Sequence, residues 1–232
     1  MLKLSIIIPV YNEKETILEI LKRVEDVRLF DFEKEIVIID DYSNDGTKEI
    51  LKTLEKKYKV FYHDKNQGKG AALRTGFKQA IGDFAIIQDA DLEYSPSEYL
   101  RLLEPIIQNK ADIVYGSRNL KRNPRFKKSY YWGVIFISWL TNILYGSNLT
   151  DVYTCYKIFK ASFFKNLKIE SNGFEFEEEI TIKALKQKLK IIEIPISYFP
   201  RSFKEGKKIG WRDGIKAVWV MFKYKIKPND ER

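Results

Sequence analysis

Cysteine and histidine are almost absent from this 232-residue chain, which contains one of each, Cys155 and His63. A single cysteine excludes a disulfide within the chain, and the two residues are too few for a zinc site built from Cys and His. The low cysteine content fits a reducing cytoplasm. Hydrophobic residues make up 44% of the chain, which excludes a disordered protein.

Two apolar segments decide whether the sequence predicts a signal peptide or a membrane span. Residues 1–9 form a short apolar run without a charged leader or a cleavage pattern, which predicts a first strand rather than a signal peptide. Residues 129–150 carry no charge, and their length alone would allow a membrane span. Polar residues nevertheless recur there at helical spacing: Ser138, Thr141, Asn142 and Tyr145. We therefore predict an amphipathic helix that is buried in the fold or lies on a membrane surface.

Apolar runs alternate with amphipathic segments over the first 116 residues. The runs predict strands at residues 4–9, 35–40, 60–63, 84–88 and 113–115. The segments between them predict helices at 13–27, 45–58, 70–80 and 96–109. Continuous apolar strands that alternate with helices are typical of a parallel sheet covered on both faces. The predicted fold class is α/β, a Rossmann-like, doubly wound, mostly parallel sheet.

The pattern changes after residue 115. We predict a basic loop at 118–128, the uncharged helix, a strand at 152–159, a helix at 175–188 and a strand at 190–198. A second basic loop at 201–210 leads to a C-terminal amphipathic helix at 211–224. No linker interrupts this order, so a single domain over residues 1–232 is expected.

Ligands of doubly wound folds bind at the carboxyl ends of the strands. The first strand ends in Pro-Val-Tyr-Asn-Glu rather than the G-x-G-x-x-G of a dinucleotide-binding protein. Asp40 ends the second strand, where it can accept hydrogen bonds from a base or a ribose. Asp89 and Asp91 follow the fourth strand with one residue between them, and such carboxylates can converge on Mg²⁺ or Mn²⁺. Glu93 is a further candidate ligand.

The formal net charge is +9, which suits nucleic acid, anionic lipid or phosphorylated ligands. Gly68-Lys69-Gly70 precedes a helix, so its amides can face an anion. Two loops collect the other candidate cations: Arg118, Arg122, Arg125, Lys127 and Lys128 in one, and Arg201, Lys204, Lys207 and Lys208 in the other. Cationic loops around an acidic metal site indicate a substrate with several phosphates.

Four segments together resemble family 2 glycosyltransferases of the GT-A fold: residues 9–13, 37–47, 68–70 and 89–91. Later segments at 116–118, 149–151, 173–177, 193–196 and 201–208 are similar to dolichol-phosphate mannose synthase and its prokaryotic polyprenyl-phosphate relatives. Many relatives carry Gln at the position of Glu93. The resemblance covers nearly the whole chain. It implies a nucleotide-binding half at about 1–116 and an acceptor-binding half at about 117–232.

The resemblance also implies roles for single residues. The nucleotide sugar would be held by Pro9, Tyr11, Glu13, Asp40, Lys69, Asp89, Ala90, Arg201 and Lys207, with the last two clamping phosphates. The metal ligands would be Asp89, Asp91 and Glu93. The candidate catalytic residues would be Asp91, Arg118, Asp151 and Glu177. Arg118 would meet the acceptor phosphate or the donor sugar. Asp151 and Glu177 would be general bases or would orient the arginines and the sugar, and we favour orientation.

Family members invert the anomeric carbon, which requires in-line attack by the acceptor. A phosphate acceptor needs no general base, since its second pKa is about 6. We therefore predict transfer of mannose or glucose, from a donor of the GDP-mannose or UDP-glucose type, to dolichyl or undecaprenyl phosphate. A sugar hydroxyl acceptor, in polysaccharide or glycolipid synthesis, is the alternative. A sugar nucleotidyltransferase would need a Gly-rich N-terminal loop, and a nucleic-acid-binding module would leave Asp89 and Asp91 without a role.

A polyprenyl phosphate stays in the bilayer, so its enzyme must reach the membrane surface. The expected location is the cytoplasm, peripheral on the cytoplasmic face of the membrane. The expected partners are the nucleotide sugar, the lipid phosphate and the membrane surface, without nucleic acid. The sequence does not indicate an oligomeric state.

Overall fold

The computed structural model describes residues 1–29, 32–124, 127–202, 208 and 210–227. The strands are β1 (Leu2–Val10), β2 (Phe32–Asp40), β3 (Lys59–Tyr62), β4 (Phe84–Ile87), β5 (Ile113–Ser117), β6 (Lys157–Lys160) and β7 (Ile191–Pro195). The helices are α1 (Ile17–Asp26), α2 (Thr47–Leu54), α3 (Lys69–Gln79), α4 (Tyr99–Ile107), α5 (Lys128–Tyr145), α6 (Ala161–Phe164), α7 (Phe176–Lys186) and α8 (Trp211–Ile226). A 3₁₀ turn at Pro96–Glu98 precedes α4.

The strands form one seven-stranded sheet in the order β3-β2-β1-β4-β6-β5-β7. All neighbouring strands are parallel except β6, which runs antiparallel to both β4 and β5. Helices cover both faces, and a separate apolar core lies on each. Both β4 and β5 are buried along their whole length, which explains their continuous apolar sequences. The predicted mostly parallel α/β sheet is confirmed.

The sheet brings the site together at one edge. Val10 at the end of β1 pairs with Asp40 at the end of β2, and the backbone N–H of Gln88, just after β4, donates to the carbonyl of Ile7 at 2.9 Å. β5 and β7 run parallel to each other, and Ser117 ends β5 opposite Pro195. The segments that follow β1, β2 and β4 therefore lie side by side.

Several predicted boundaries differ from the structure, and three of these differences have a clear local cause. The helix expected from residue 13 begins at Ile17, because residues 13–16 form a turn closed by hydrogen bonds to the carbonyl of Glu13. The helix expected to reach residue 150 ends at Tyr145, where Gly146 adopts a positive φ of 67°. The strand expected from 152 begins only at Lys157, whose ammonium group binds carbonyls of the preceding loop.

Helix α5 is amphipathic, but its polar side faces the protein and its apolar side faces solvent. Its polar side chains point into the protein: the hydroxyl of Ser138 accepts from the N–H of Val152, and the hydroxyl of Thr141 donates to Glu178. Its exposed side is apolar, with Trp132, Phe136, Trp139 and Ile143 each more than half exposed. Within the described residues, no helix combines the length and the apolar character that crossing a membrane requires.

Helix α8 packs against α5 and α7, and it exposes a second apolar stripe. The hydroxyl of Tyr145 on α5 donates to the carbonyl of Met221 on α8 at 2.6 Å, and both residues lie in a small third apolar cluster. The exposed stripe of α8 recurs at helical spacing: Trp211, Ile215, Trp219, Phe222 and Ile226. Two neighbouring helices thus present large apolar side chains to solvent.

Candidate functional site

A cavity of about 820 Å³ lies at the carboxyl ends of the parallel strands. Eleven of the predicted site residues line it: Pro9, Tyr11, Glu13, Lys69, Asp89, Ala90, Asp91, Glu93, Arg118, Glu177 and Arg201. Asp40 and Asp151 are fully buried and do not line it. Lys207 lies outside the described residues, as do Arg125 and Lys204.

The acidic pair at the end of β4 is held by two cations. Lys69 Nζ lies 2.5 Å from Asp89 Oδ1, and Arg201 Nη2 lies 3.4 Å from Asp91 Oδ2. The backbone N–H of Glu93 donates to Asp91 Oδ1 at 3.0 Å. Burial raises the pKa of Asp91 to about 7, and the negative charges of Asp89 and Glu93 add to this shift. Three crowded carboxylates make this end of the cavity a favourable place for a cation.

The donor set fits a divalent metal that shares its ligands with a substrate. Mg²⁺ binds through one or two carboxylates together with phosphate oxygens and water, and Asp89 and Asp91 supply two carboxylates. Glu93 is engaged elsewhere, because its two oxygens accept hydrogen bonds from the hydroxyl of Tyr198 at 2.7 Å and the N–H of Arg201 at 2.6 Å. No group of three or more metal-binding side chains forms among the described residues. A metal here would depend on the substrate for most of its ligands.

Asp41, which the sequence analysis did not assign to the site, lines the cavity in place of Asp40. Its carboxylate accepts from the backbone N–H groups of Gln67 at 2.9 Å and Gly68 at 2.7 Å, and it lies 2.7 Å from Nδ1 of His63. The amide of Gly68, proposed to face an anion, is therefore held by an internal carboxylate. The sequence signal for Asp41 was its position directly after Asp40 at the end of β2.

The C-terminal segment reaches back to the end of β1 through Glu13. Both terminal nitrogens of Arg201 donate to Glu13 at 2.9 Å, and Lys208 Nζ donates to it at 2.8 Å. Burial alone would raise the pKa of Glu13, but these hydrogen bonds hold it below its usual value. Lys208 also binds the carbonyl of Tyr11. Arg201 thus bridges Glu13 and Asp91 through one guanidinium group.

Arg118 follows β5 and is fixed from behind by Asp151. Its Nε and Nη2 donate to the two carboxylate oxygens at 2.7 Å each, and Nη2 also donates to the carbonyl of Tyr153 at 3.0 Å. The guanidinium lies 5.1 Å from the ring centre of Tyr198. A bidentate Arg–carboxylate pair has a rigid geometry, so Asp151 sets the direction in which Arg118 faces the cavity.

The opposite end of the cavity is basic and aromatic. Lys121 and Arg122 line it together with residues at the start of α5: Lys127, Tyr130, Tyr131 and Val134. The first turn of α5 contains no acidic residue, so its N-terminal partial positive charge adds to these cations. An anion at this end would lie among these cations and beside Tyr130 and Tyr131.

Glu177 lines the cavity wall although its side chain is only 1% exposed. One oxygen, Oε2, binds the ammonium of the buried Lys157, while Oε1 has no hydrogen-bond partner among the described residues. Cys155 lies on the same wall, 3.0 Å from Lys69 Nζ through its sulfur. Neither Cys155 nor Lys157 was predicted, since a cysteine and a strand lysine carry no motif signal alone.

Curated relatives are similar to this chain over most of its length. The dolichol-phosphate mannosyltransferase of Pyrococcus furiosus is 32% identical over 213 residues, which cover 89% of this chain and 59% of that protein. The undecaprenyl-phosphate mannosyltransferase of Micrococcus luteus is 30% identical, covering 92% of this chain and 90% of that protein. The UDP-N-acetylglucosamine–dolichyl-phosphate N-acetylglucosaminyltransferase of Methanococcus voltae is 29% identical, covering 95% of both. The chain therefore spans about three fifths of the Pyrococcus protein.

Solved structures show the same fold at low sequence identity. Glucosyl-3-phosphoglycerate synthase from Mycobacterium tuberculosis, in complex with Mn²⁺, UDP and glucosyl-3-phosphoglycerate, superposes with a TM-score of 0.74 at 15% identity. The match covers 99% of this chain and 82% of that one, and it establishes the GT-A fold. The family model described as glycosyl transferase family 2 matches residues 5–168. The chain belongs to glycosyl transferase family 2.

Proposed function

We propose that this glycosyltransferase moves a hexose from a nucleotide sugar to a polyprenyl phosphate, with Mg²⁺ or Mn²⁺ on the donor diphosphate. One observation carries the proposal. One cavity is lined both by the carboxylates Asp89 and Asp91 and by the cations Lys121 and Arg122, together with aromatic side chains at the start of α5. The relatives named above as mannosyltransferases and N-acetylglucosaminyltransferase act on polyprenyl phosphates, which supports the same acceptor class here.

The donor would lie along the edge formed by β1, β2 and β4. Pro9, Tyr11 and Glu13 line the cavity and would hold the nucleoside, and Asp89 with Asp91 would hold the metal. When bound, the metal would neutralise the charge that develops on the leaving diphosphate. Arg201 lies between Glu13 and Asp91, so the same side chain can meet donor phosphates from the C-terminal segment.

The acceptor phosphate would enter at the basic end. A phosphate oxygen attacks the anomeric carbon from the side opposite the diphosphate, a new carbon–oxygen bond forms, and the nucleoside diphosphate leaves. Since the second pKa of a phosphate monoester is about 6, this nucleophile is already charged at neutral pH. Its requirement is orientation by cations, and Arg118 with its fixed guanidinium meets that requirement.

Helices α5 and α8 would bring the cavity to the bilayer. The apolar stripes of both helices are exposed, and aromatic side chains of this kind favour the lipid–water interface. The exposed cations Arg212, Lys216 and Lys225 lie on α8 beside its stripe. Basic residues near an anionic surface contribute about 1 kcal/mol each. We therefore propose reversible, salt-sensitive attachment to the cytoplasmic face of the membrane.

The test is a panel of donors against three acceptors. The full chain is incubated with GDP-mannose, UDP-glucose or UDP-N-acetylglucosamine and MgCl₂ or MnCl₂. The acceptors are a polyprenyl phosphate, the corresponding polyprenol and a soluble oligosaccharide, and products are identified by mass spectrometry. We expect one donor to yield a glycosylated lipid phosphate and no product from the polyprenol. Transfer to the oligosaccharide alone would establish a hydroxyl acceptor instead.

A further inference from the structure

Lys157 is a completely buried lysine beside the cavity residue Glu177. It begins β6 and its side chain is 0% exposed. Its ammonium group donates to the carbonyl of Val152 at 3.0 Å, to the carbonyl of Thr154 at 2.6 Å and to Glu177. An ammonium group has three donors, so all of them are used. The side chain is therefore held in one position.

The partner carboxylate is only half satisfied. Glu177 Oε2 accepts from Lys157, whereas Oε1 is buried and accepts no hydrogen bond from the described residues. A buried acceptor without a partner costs about 1–3 kcal/mol, and such groups call for an explanation. Since Glu177 also lines the cavity, a bound ligand can supply the missing donor.

The next residue on α7 provides an internal comparison. Glu178 is equally buried but does not line the cavity. It accepts a hydrogen bond from Thr141, and no cation in the described part of the chain lies within bonding distance of it. Burial raises the pKa of Glu178 to about 8. Burial also raises the pKa of Glu177, but the Lys157 charge acts in the opposite direction. Of these two buried glutamates, Glu177 is therefore the one whose carboxylate is bound by an ammonium group and faces the cavity.

The path from the acidic pair to Glu177 is short. Lys69 Nζ lies 2.5 Å from Asp89 Oδ1 and 3.0 Å from the sulfur of Cys155, and Lys69, Cys155 and Glu177 all line the cavity. A donor whose diphosphate lies at Asp89 would place its sugar toward these residues. Sugar hydroxyl groups are donors that a buried carboxyl oxygen without a partner can bind.

We propose that Lys157 is a positioning residue that holds Glu177 as a charged acceptor for a hydroxyl group of the donor sugar. The inference rests on the proposed function, because it takes the donor to be a nucleotide sugar. It also gives Glu177 the role of orienting the sugar rather than that of a general base, because a phosphate acceptor needs no general base.

The test compares nucleotide sugars with the nucleoside diphosphates that lack the sugar. Affinities of UDP, UDP-glucose, GDP and GDP-mannose are measured by calorimetry on the folded full chain. In Lys157→Met and in Glu177→Gln, we expect the nucleotide-sugar affinity to fall about tenfold or more, as for the loss of a hydrogen bond to a charged group. The nucleoside diphosphate affinity should change less than about twofold, because that part of the ligand lies away from Glu177.

The double variant Lys157→Met/Glu177→Gln should lose no more than either single variant, because both changes remove one contact. Glu178→Gln is the matched control, and it should leave the ratio of the two affinities unchanged. Thermal unfolding of each variant checks that it is folded. If Lys157→Met proves unfolded, Glu177→Gln alone decides whether the acceptor exists, and Lys157→Arg, which keeps the charge, should retain the sugar preference.

The inference is overturned if folded Lys157→Met keeps the wild-type ratio, or if Glu178→Gln shifts it equally. It is also overturned if the two single losses add in the double variant. Failure of the proposed function looks different: the wild-type protein would then bind none of the nucleotides, or would bind them and glycosylate no lipid phosphate.

Discussion

Glu178 lies between α5 and α7 with a carboxyl group that is completely buried. Thr141 donates to Oε1 at 2.8 Å, while Oε2 has no partner among the described residues. Burial raises the pKa of this group from 4.5 to about 8, so the folded protein carries it protonated at neutral pH. Replacing it with Gln supplies a neutral side chain of nearly the same shape. The variant isolates the effect of one buried proton on stability.

The sign follows from proton binding. Between pH 4.5 and pH 8 the unfolded chain has released this proton and the folded chain has kept it. The folded state therefore binds more protons, and the free energy of unfolding falls as pH rises through this window. The slope approaches about 1.36 kcal/mol per pH unit, so wild type loses about 2 kcal/mol between pH 6 and pH 8 through Glu178. Glu178→Gln has no such proton to lose.

Urea denaturation followed by tryptophan fluorescence at pH 6, 7 and 8 measures the difference. We expect the free energy of unfolding of Glu178→Gln, relative to wild type, to rise by about 2 kcal/mol from pH 6 to pH 8. The exposed Glu15→Gln serves as the control for removing one negative charge. A constant difference between Glu178→Gln and wild type over this range would refute the reasoning, since it would mean that Glu178 is already ionised in the folded protein.

Three further predictions concern the site. Asp91→Asn, or excess EDTA, should lower turnover about 100-fold or more while the protein stays folded, because a metal supplies several kcal/mol to the transition state; full activity in EDTA would contradict this. Arg118→Ala should slow transfer to lipid phosphate far more than it weakens nucleotide binding. It should also lower the free energy of unfolding by about 3–5 kcal/mol, because Asp151 would stay buried without its partner. Equal losses of transfer rate and nucleotide affinity would contradict the role of Arg118. More of the protein should cosediment with anionic vesicles at low salt than at high salt. Trp139→Ala should weaken vesicle binding more than the control Tyr42→Ala, which removes an exposed aromatic side chain outside α5 and α8. A wild-type protein that stays in the supernatant would exclude membrane attachment.

The sheet was predictable because buried parallel strands are read directly from apolar runs. All seven predicted strands exist, and the ends of β1 and β4 carry the residues expected there. The loop 152–156 was wrongly predicted as strand. Its apolar residues resemble a strand, but the ammonium group of Lys157 donates hydrogen bonds to two of its carbonyl groups. Such a contact between side chain and backbone depends on the tertiary fold and leaves no periodic signal.

The site was predictable where a motif fixed the geometry and less so where packing decided it. Asp89 and Asp91 were found from their spacing. Asp40 and Asp41 are adjacent at the end of β2, and only the structure shows that Asp41 lines the cavity. The pairing of Glu13 with Arg201 joins residues 188 positions apart, and no local pattern indicates it. The inward direction of the polar side of α5 also emerged only from its packing.

The central claim is that the sugar alone passes to the lipid phosphate. A nucleotide sugar labelled with ¹³C in the hexose and ³²P in the β-phosphate separates this from transfer of a sugar phosphate. With polyprenyl phosphate, wild-type protein and Mg²⁺ or Mn²⁺, we predict a ¹³C-labelled lipid monophosphate, with all ³²P in the nucleoside diphosphate. Appearance of ³²P in the lipid, as a polyprenyl diphosphate sugar, would contradict the account, and so would ¹³C incorporation only into a hydroxyl acceptor.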